Sequence, residues 1–153
     1  MVKALTNPFA GRPTPLGTLL ATAAKRLSGE LDAALEAAGI GDIRAAHAPI
    51  FMAVDPAGST VSELATAAQL TKQATGELIR YLADRGYLEQ QVDSSDRRVR
   101  RVRLTERGWY AVQVGERVID DFDAWLAGAV GQDSVEALRS VLQRIIVTDP
   151  ADR

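Results

Sequence analysis

Two short strand-like segments stand alone in a chain whose apolar residues otherwise repeat at helical spacing. They cover residues 87–92 and 99–104 and flank a polar turn at residues 93–96, which predicts a single β-hairpin. Two strands are too few to build a core of their own, so the hairpin must pack on helices. We therefore expect a mainly α fold in which one hairpin leans on a helical body.

Apolar steps of three and four residues predict six helices around this hairpin. A Thr60–Glu63 capping box begins the third helix, and Thr71 offers the N-cap of the fourth. Pro49 lies inside the second helix and predicts a kink or a broken start there. The predicted helices cover residues 15–38, 42–53, 61–68, 72–84, 105–128 and 134–147.

The third and fourth helices are short and joined by a tight turn at residues 68–70, which is typical of a helix-turn-helix. The hairpin that follows makes it a winged helix-turn-helix, with the hairpin as the wing. A chain of 153 residues predicts one domain over residues 1–153. Within it we expect a winged DNA-binding lobe at 42–104 and a helical dimerisation region at 13–39 and 105–148. The apolar stripes of that region are wider than the lobe needs to cover, so a second copy is the expected partner.

Composition excludes several classes of protein. The chain has no cysteine and one histidine, which excludes disulfides, thiolate metal sites and a histidine metal cluster. No catalytic or cofactor motif is present, so we expect neither an enzyme, nor a metal, nor a cofactor. The longest uncharged stretch, residues 13–24, is too short to span a membrane. Residues 1–7 lack the apolar core of a secretory signal, and we expect a cytoplasmic protein.

The charge distribution indicates a polyanionic partner, although the net charge is −2. Between positions 97 and 107 six arginines face a single acid, and such a local field decides where a polyanion docks. An exposed arginine-rich turn suits the narrow minor groove of DNA. Asp96 is expected to orient one guanidinium through paired hydrogen bonds. The alternative is a charged guard on the edge of the hairpin. The arginines are Arg97, Arg98, Arg100, Arg101, Arg103 and Arg107.

The fourth helix carries polar and small residues opposite its apolar positions Leu78 and Leu82. Such a face suits a recognition helix in the major groove, and the helix N-terminus favours phosphate. The alternative is an ordinary solvated helix face. The predicted DNA-binding residues are Ser62, Thr71, Lys72, Gln73, Thr75, Gly76, Arg80, Asp96, Arg97, Arg98 and Arg100.

Five short segments resemble the MarR-type (multiple antibiotic resistance regulator) winged-helix transcription factors. They are VSELA at 61–65, TKQ at 71–73, LADRGYL at 82–88, DRR at 96–98 and LTERG at 104–108. The resemblance implies a homodimer on a palindromic double-stranded DNA operator, usually a repressor that a small ligand releases. It also implies that Arg98, with Arg97, enters the minor groove while Gln73, Thr75 and Arg80 face the major groove.

Some proteins of that family sense oxidants through cysteine, which this chain lacks. Others bind phenolic ligands where the first, second and long helices meet. The candidate lining residues of such an effector pocket are His47, Phe51, Trp109 and Val112.

At two of these positions an ordinary structural role is the alternative. A lone histidine most often hydrogen-bonds a neighbour, and Trp109 with Tyr110 is expected to pack between helix and hairpin. Two further functions stay open: a winged-helix interaction module that binds an acidic protein partner, and an enzyme whose pocket near His47 and Trp109 turns over a substrate.

Overall fold

The computed structural model describes residues 11–148, and this part of the chain folds into six α-helices and one hairpin in the predicted order. The predicted mainly α, winged helix-turn-helix fold is confirmed. The predicted absence of a secretory signal concerns residues outside the described range. The helices are α1 (Leu16–Ala37), α2 (Ala48–Ala53), α3 (Val61–Ala67), α4 (Lys72–Asp84), α5 (Glu106–Val130) and α6 (Gln132–Val147), and the strands are β1 (Leu88–Val92) and β2 (Arg100–Leu104).

The second helix is shorter than predicted. A loop and a 3-10 turn at Ala45–His47 replace its first half, and α2 begins only at Ala48. Pro49 falls in the first turn of α2, where its missing N–H breaks no helical hydrogen bond. The Asp32 carboxylate of α1 accepts a hydrogen bond from the Ala45 amide at 2.6 Å and holds the 3-10 turn. The broken start is therefore confirmed, and the continuous helix over 42–53 was wrong.

Threonine side chains begin three of the helices. The Thr60–Glu63 capping box forms as predicted, with both of its hydrogen bonds present. The hydroxyls of Thr71 and Thr105 each accept a hydrogen bond from the amide three residues further on. These caps satisfy amides that would otherwise lack a helical partner. They fix where α3, α4 and α5 start, and so where the polar face of α4 lies.

The wing has a third, short arm that the sequence analysis did not predict. Strands β1 and β2 pair antiparallel, with Leu88 opposite Leu104. On the other edge of β2, Ser59 exchanges two backbone hydrogen bonds with Val102, at 3.0 and 2.7 Å. The segment before α3 is thereby tied to the wing, and Val102 is fully buried between its neighbours.

The wing packs on α5 at a glycine. A Cβ on Gly108 would lie 2.2 Å from the carbonyl oxygen of Tyr87, so no larger residue fits without displacing the backbone. The Thr105 hydroxyl donates to the Gly86 carbonyl at 2.6 Å and closes the same junction. The lobe core beneath it consists of buried side chains that include Ile43, Ile50, Leu64, Ile79, Leu82, Tyr87 and Val102.

A second region of the molecule leaves large apolar side chains in solvent. On α1 Leu16 is 63% exposed, and on α6 Ile146 is 65% exposed. We call this surface the apolar face. Its members on α1, α5 and α6 are Leu16, Leu19, Trp125, Val130, Leu138, Val141, Ile145 and Ile146. No helix within residues 11–148 is long and apolar enough to cross a membrane.

Candidate nucleic-acid interface

Helix α4 presents a polar, solvent-exposed face that begins at its capped N-terminus. Lys72, Gln73 and Arg80 are exposed on it, and Gly76 lies between them, partly exposed. Neither Lys72 nor Arg80 pairs with an acid within residues 11–148. These side chains are therefore available to a ligand that docks on α4.

The prediction for Thr75 is wrong. Its side chain is fully buried, and its hydroxyl donates to the Thr71 carbonyl oxygen at 2.9 Å. Positions 75, 79 and 82 share one side of the helix, so Thr75 belongs to the stripe of Ile79 and Leu82. A polar residue is tolerated there because the preceding turn of the same helix satisfies its hydroxyl.

Two further predicted residues lie at the starts of the helix-turn-helix helices. Ser62, in the first turn of α3, and Thr71, the N-cap of α4, are both exposed. Their amides and hydroxyls lie at helix N-termini, where the backbone favours an anion such as a phosphate. Thr71 directly precedes the exposed face of α4.

The turn of the hairpin carries three guanidinium groups that point into solvent. Arg97, Arg98 and Arg100 are exposed, and the Arg98 side chain is 94% exposed. We call residues 94–100 the wing tip. Asp96 accepts a hydrogen bond from the backbone amide of Arg98 at 2.9 Å, while its carboxylate stands 3.7 Å from the Arg98 Nε. Asp96 thus shapes the turn, and the predicted paired hydrogen bonds to a guanidinium are wrong.

The strand arginines make a different set of contacts. Arg101 bonds the Asp93 carboxylate through Nε and the Gly58 carbonyl at 3.1 Å. Arg103 donates to the Ala57 carbonyl at 2.9 Å. We call Asp93, Arg101 and Arg103 the wing base. These guanidiniums tie the hairpin to the loop before α3 and are committed to the protein.

Asp93 holds the wing base together, a role that the sequence analysis did not predict. Hydrogen bonds from Ser95 and Arg101 hold the pKa of its carboxyl well below the ordinary value, with further help from the backbone amides of Ser95 and Asp96. A signal was available: an acid eight residues before an arginine across a predicted hairpin turn lies within cross-strand reach.

Arg107 also bonds within the subunit. It contacts the Asp42 carboxylate at 3.1 Å and the Tyr87 hydroxyl at 2.8 Å, and it lies over the Tyr87 ring. Partial burial raises the pKa of Asp42, but the hydrogen bonds from Tyr87 and its own backbone and the charge of Arg107 outweigh this and lower it. The LTERG segment therefore caps α5, anchors it and packs it on the wing.

A cavity of about 260 Å³ lies where α1, α2 and α5 meet. Phe51 and Val112 line it as predicted, together with Leu31, Leu35 and Ile119. Its rim carries Arg44, Glu116 and Asp120.

The other two predicted pocket residues lie elsewhere. His47 stacks on Tyr81 of α4 with ring centres 4.9 Å apart, and its Nδ1 accepts the Arg44 amide at 2.9 Å. The expected hydrogen bond of the lone histidine is thus confirmed, and its pKa is lowered, chiefly by burial. Trp109 and Tyr110 are 42% and 44% exposed, so neither a pocket role for Trp109 nor tight packing of the pair is found.

Helix α3 is short, a tight turn joins it to the capped α4, and the hairpin packs against α5. This arrangement defines the class of winged helix-turn-helix proteins. Residues 41–99 match the family model described as "MarR family". The resemblance to the MarR family that the five sequence segments indicated is thereby confirmed.

Two curated proteins and one solved structure illustrate the similarity. The chain is 31% identical over 93 residues to the exopolysaccharide II synthesis transcriptional activator ExpG of Rhizobium meliloti. These aligned residues are 61% of this chain and 48% of ExpG. It is 32% identical over 114 residues to the HTH-type transcriptional regulator PetP of Rhodobacter capsulatus, covering 72% of this chain and 65% of PetP. The chain thus spans about half to two thirds of these relatives.

The S. aureus MepR–DNA complex has the same fold, with a TM-score of 0.74 at 20% identity, covering 88% of this chain and 98% of MepR.

Proposed function

We propose that this protein is a sequence-specific, double-stranded-DNA-binding transcription regulator that acts in the cytoplasm. One observation carries the proposal: the exposed polar face of α4 and the three exposed guanidiniums of the wing tip make no ion pair with another element within residues 11–148. Helix α4 enters the major groove, where Lys72, Gln73 and Arg80 meet base edges. The names of ExpG and PetP as transcriptional regulators support this assignment.

The wing tip inserts beside the recognition helix α4, into the adjacent minor groove. Arg98 leads, with Arg97 and Arg100 on the flanking phosphates, because a narrow minor groove concentrates negative potential that attracts guanidinium. Ser62 and Thr71 bind phosphate through the helix N-termini. Phosphate contacts position the protein on the duplex, and contacts of α4 with base edges determine which DNA sequence is bound.

The active unit is a homodimer that buries the apolar face, with residues 13–39 and 105–148 as its dimerisation region. The exposed apolar side chains of α1, α5 and α6 have no partner within residues 11–148, and monomers seldom expose so large a patch. A two-fold dimer places two α4 helices in successive major grooves and therefore selects a palindromic operator. Sedimentation at micromolar concentration should give twice the chain mass, and a Leu138→Asp variant should shift towards monomer.

The cavity between α1, α2 and α5 takes a small, mainly apolar effector that releases the dimer from its operator. Phe51 links the cavity to the lobe, because its ring meets that of Tyr87 edge-on at 6.1 Å, and Tyr87 precedes β1. A ligand that displaces Phe51 therefore perturbs the base of the wing. The operator-bound dimer represses transcription, and a promoter–reporter pair tests the sign: deletion should raise expression.

The experiment that tests DNA recognition is selection from random duplexes with the purified protein, followed by footprinting. We expect an enriched inverted repeat whose half-sites lie about one helical turn apart. Enrichment of no sequence, together with capture of an acidic protein at the wing, would instead favour the interaction module.

A further inference from the structure

Glu77 is an acid on the face of α4 that otherwise carries basic and neutral residues. It is exposed, one helical turn beyond Gln73 and three residues before Arg80. An acid so placed weakens attraction to a polyanion unless it makes a contact that offsets the repulsion. The DNA-binding residues predicted from the sequence do not include it.

The structure holds Glu77 in a defined pair. The side-chain amide nitrogen of Gln73 donates to Glu77 Oε1 at 3.3 Å. An ionised carboxylate only accepts hydrogen bonds, so the amide must turn its NH2 group towards Glu77. The remaining Glu77 Oε2 and the Gln73 carbonyl oxygen are then two neighbouring acceptors on the exposed face.

Gly76 leaves space next to this pair. A Cβ built on Gly76 would have no heavy atom within 4 Å, so the exposed surface of α4 is open at this point. The missing side chain lets the helix approach base edges closely. Two acceptors therefore stand beside the place where the groove floor comes nearest.

We propose that Glu77, oriented by Gln73, is a specificity-determining residue that reads the 4-amino group of a cytosine in each half-site. This inference rests on the proposed function. In the major groove only cytosine N4 and adenine N6 offer donors, and a carboxylate pairs best with cytosine N4. The same carboxylate repels the N7, O6 and O4 acceptors of other bases, so discrimination comes from attraction and repulsion together.

Loss of the charge should therefore increase general affinity and decrease selectivity. In Glu77→Gln the shape and the contact with Gln73 are retained, but the new amide can also donate to acceptor bases. Affinity for non-operator duplex should rise because one repulsive charge is removed. A residue that is merely solvated would not change the base preference.

The chain contains a matched control. On α6, Gln132 donates to Glu136 at 3.0 Å in the same i,i+4 arrangement. Glu136→Gln removes the same charge and alters the same kind of pair on a helix outside the winged lobe. Glu77→Ala serves as a second variant, and thermal melting verifies that each protein folds.

The experiment measures binding of wild type and variants to the selected operator and to operators in which each cytosine is replaced by 2-pyrimidinone, which lacks the 4-amino group. Wild type and Glu136→Gln should lose about tenfold affinity at one cytosine per half-site. Glu77→Gln and Glu77→Ala should lose little there. An unchanged tenfold loss in both Glu77 variants overturns this inference alone, whereas a wild type that selects no duplex overturns the proposed function as well.

Discussion

The wing tip and the wing base carry arginines of the same short segment but use them differently. The guanidiniums of Arg97, Arg98 and Arg100 extend into solvent, whereas Arg101 and Arg103 bond an acid and two carbonyl oxygens of the subunit. Arg101 and Arg103 therefore hold the hairpin in place and are not available to a ligand. The arginines of this basic segment therefore do not form one surface. Of these five side chains, only those of the wing tip can contact a polyanion.

The pleat of β2 explains the division. Val102 is buried, so its neighbours in the strand point to the opposite side, where the arm containing Ser59 brings two carbonyl groups. Gly58 adopts φ +97°, and a Cβ there would lie 3.0 Å from Arg103 Nε. The close approach of this arm gives the strand arginines their partners, while the tip extends beyond it.

The largest effect should follow a change at the tip. Arg98→Ala is expected to weaken operator binding about 10- to 100-fold, because a guanidinium in the minor groove contributes both charge and shape readout. Its melting temperature should match wild type, since the side chain is 94% exposed. Fluorescence anisotropy and thermal melting measure the two quantities. Equal affinities would remove the tip from the interface.

A substitution in the wing base should act by loosening the hairpin and not by removing a contact with DNA. Arg101→Ala is expected to weaken operator binding less than Arg98→Ala does, and to speed hydrogen exchange of the hairpin amides, because the bonds to Asp93 and Gly58 are lost. Arg139→Ala removes a comparable pair with Asp123 far from the wing and is the control. If Arg101→Ala left exchange unchanged while abolishing binding, the base would be a DNA contact.

Acid should loosen the wing base. The pKa of Asp93 is depressed in the fold, so its contribution to stability is present above the unfolded value of about 3.9 and is lost as the pH falls below it. Melting temperatures between pH 6 and pH 2.5 should drop less steeply for Asp93→Asn than for wild type. Parallel curves would show that the Asp93–Arg101 pair does not stabilise the wing.

The smallest effect is expected where wing and body meet. Tyr87→Phe removes a buried hydroxyl that bonds Asp42 and Arg107, and should lower the free energy of unfolding by about 1 kcal/mol. Operator affinity should stay near wild type, because the ring still supports the hairpin. Urea unfolding measures the loss. A large loss of binding without a loss of stability would place this junction in the interface.

Local signals predicted much of this fold. The stripes, the threonine caps and the isolated hairpin each depend on residues within a few positions of one another, so α3, α4, the wing and α5 were predicted close to their observed bounds. The one long error in the helices, over 42–47, arose because apolar spacing continues through a loop that Asp32 stabilises from another helix.

The site was less predictable because its contacts are distant in sequence. Because threonine is polar, Thr75 was predicted to be exposed, but the buried side of α4 passes through positions 75, 79 and 82. Arg103 finds its carbonyl partner 46 residues away. The apolar stacking of His47 on Tyr81 likewise joins two elements whose approach no local pattern reveals.

The most direct test of the tip as the DNA-binding part uses the absence of cysteine from the chain. Ser94→Cys at the wing tip can be labelled uniquely with an iron chelate that cleaves DNA nearby, and Ser140→Cys on α6 is the matched control. The account predicts cleavage in the minor groove at two positions placed symmetrically about the operator centre, and none from the control. Cleavage that is absent or uniform along the duplex, in a complex that still forms, would contradict it.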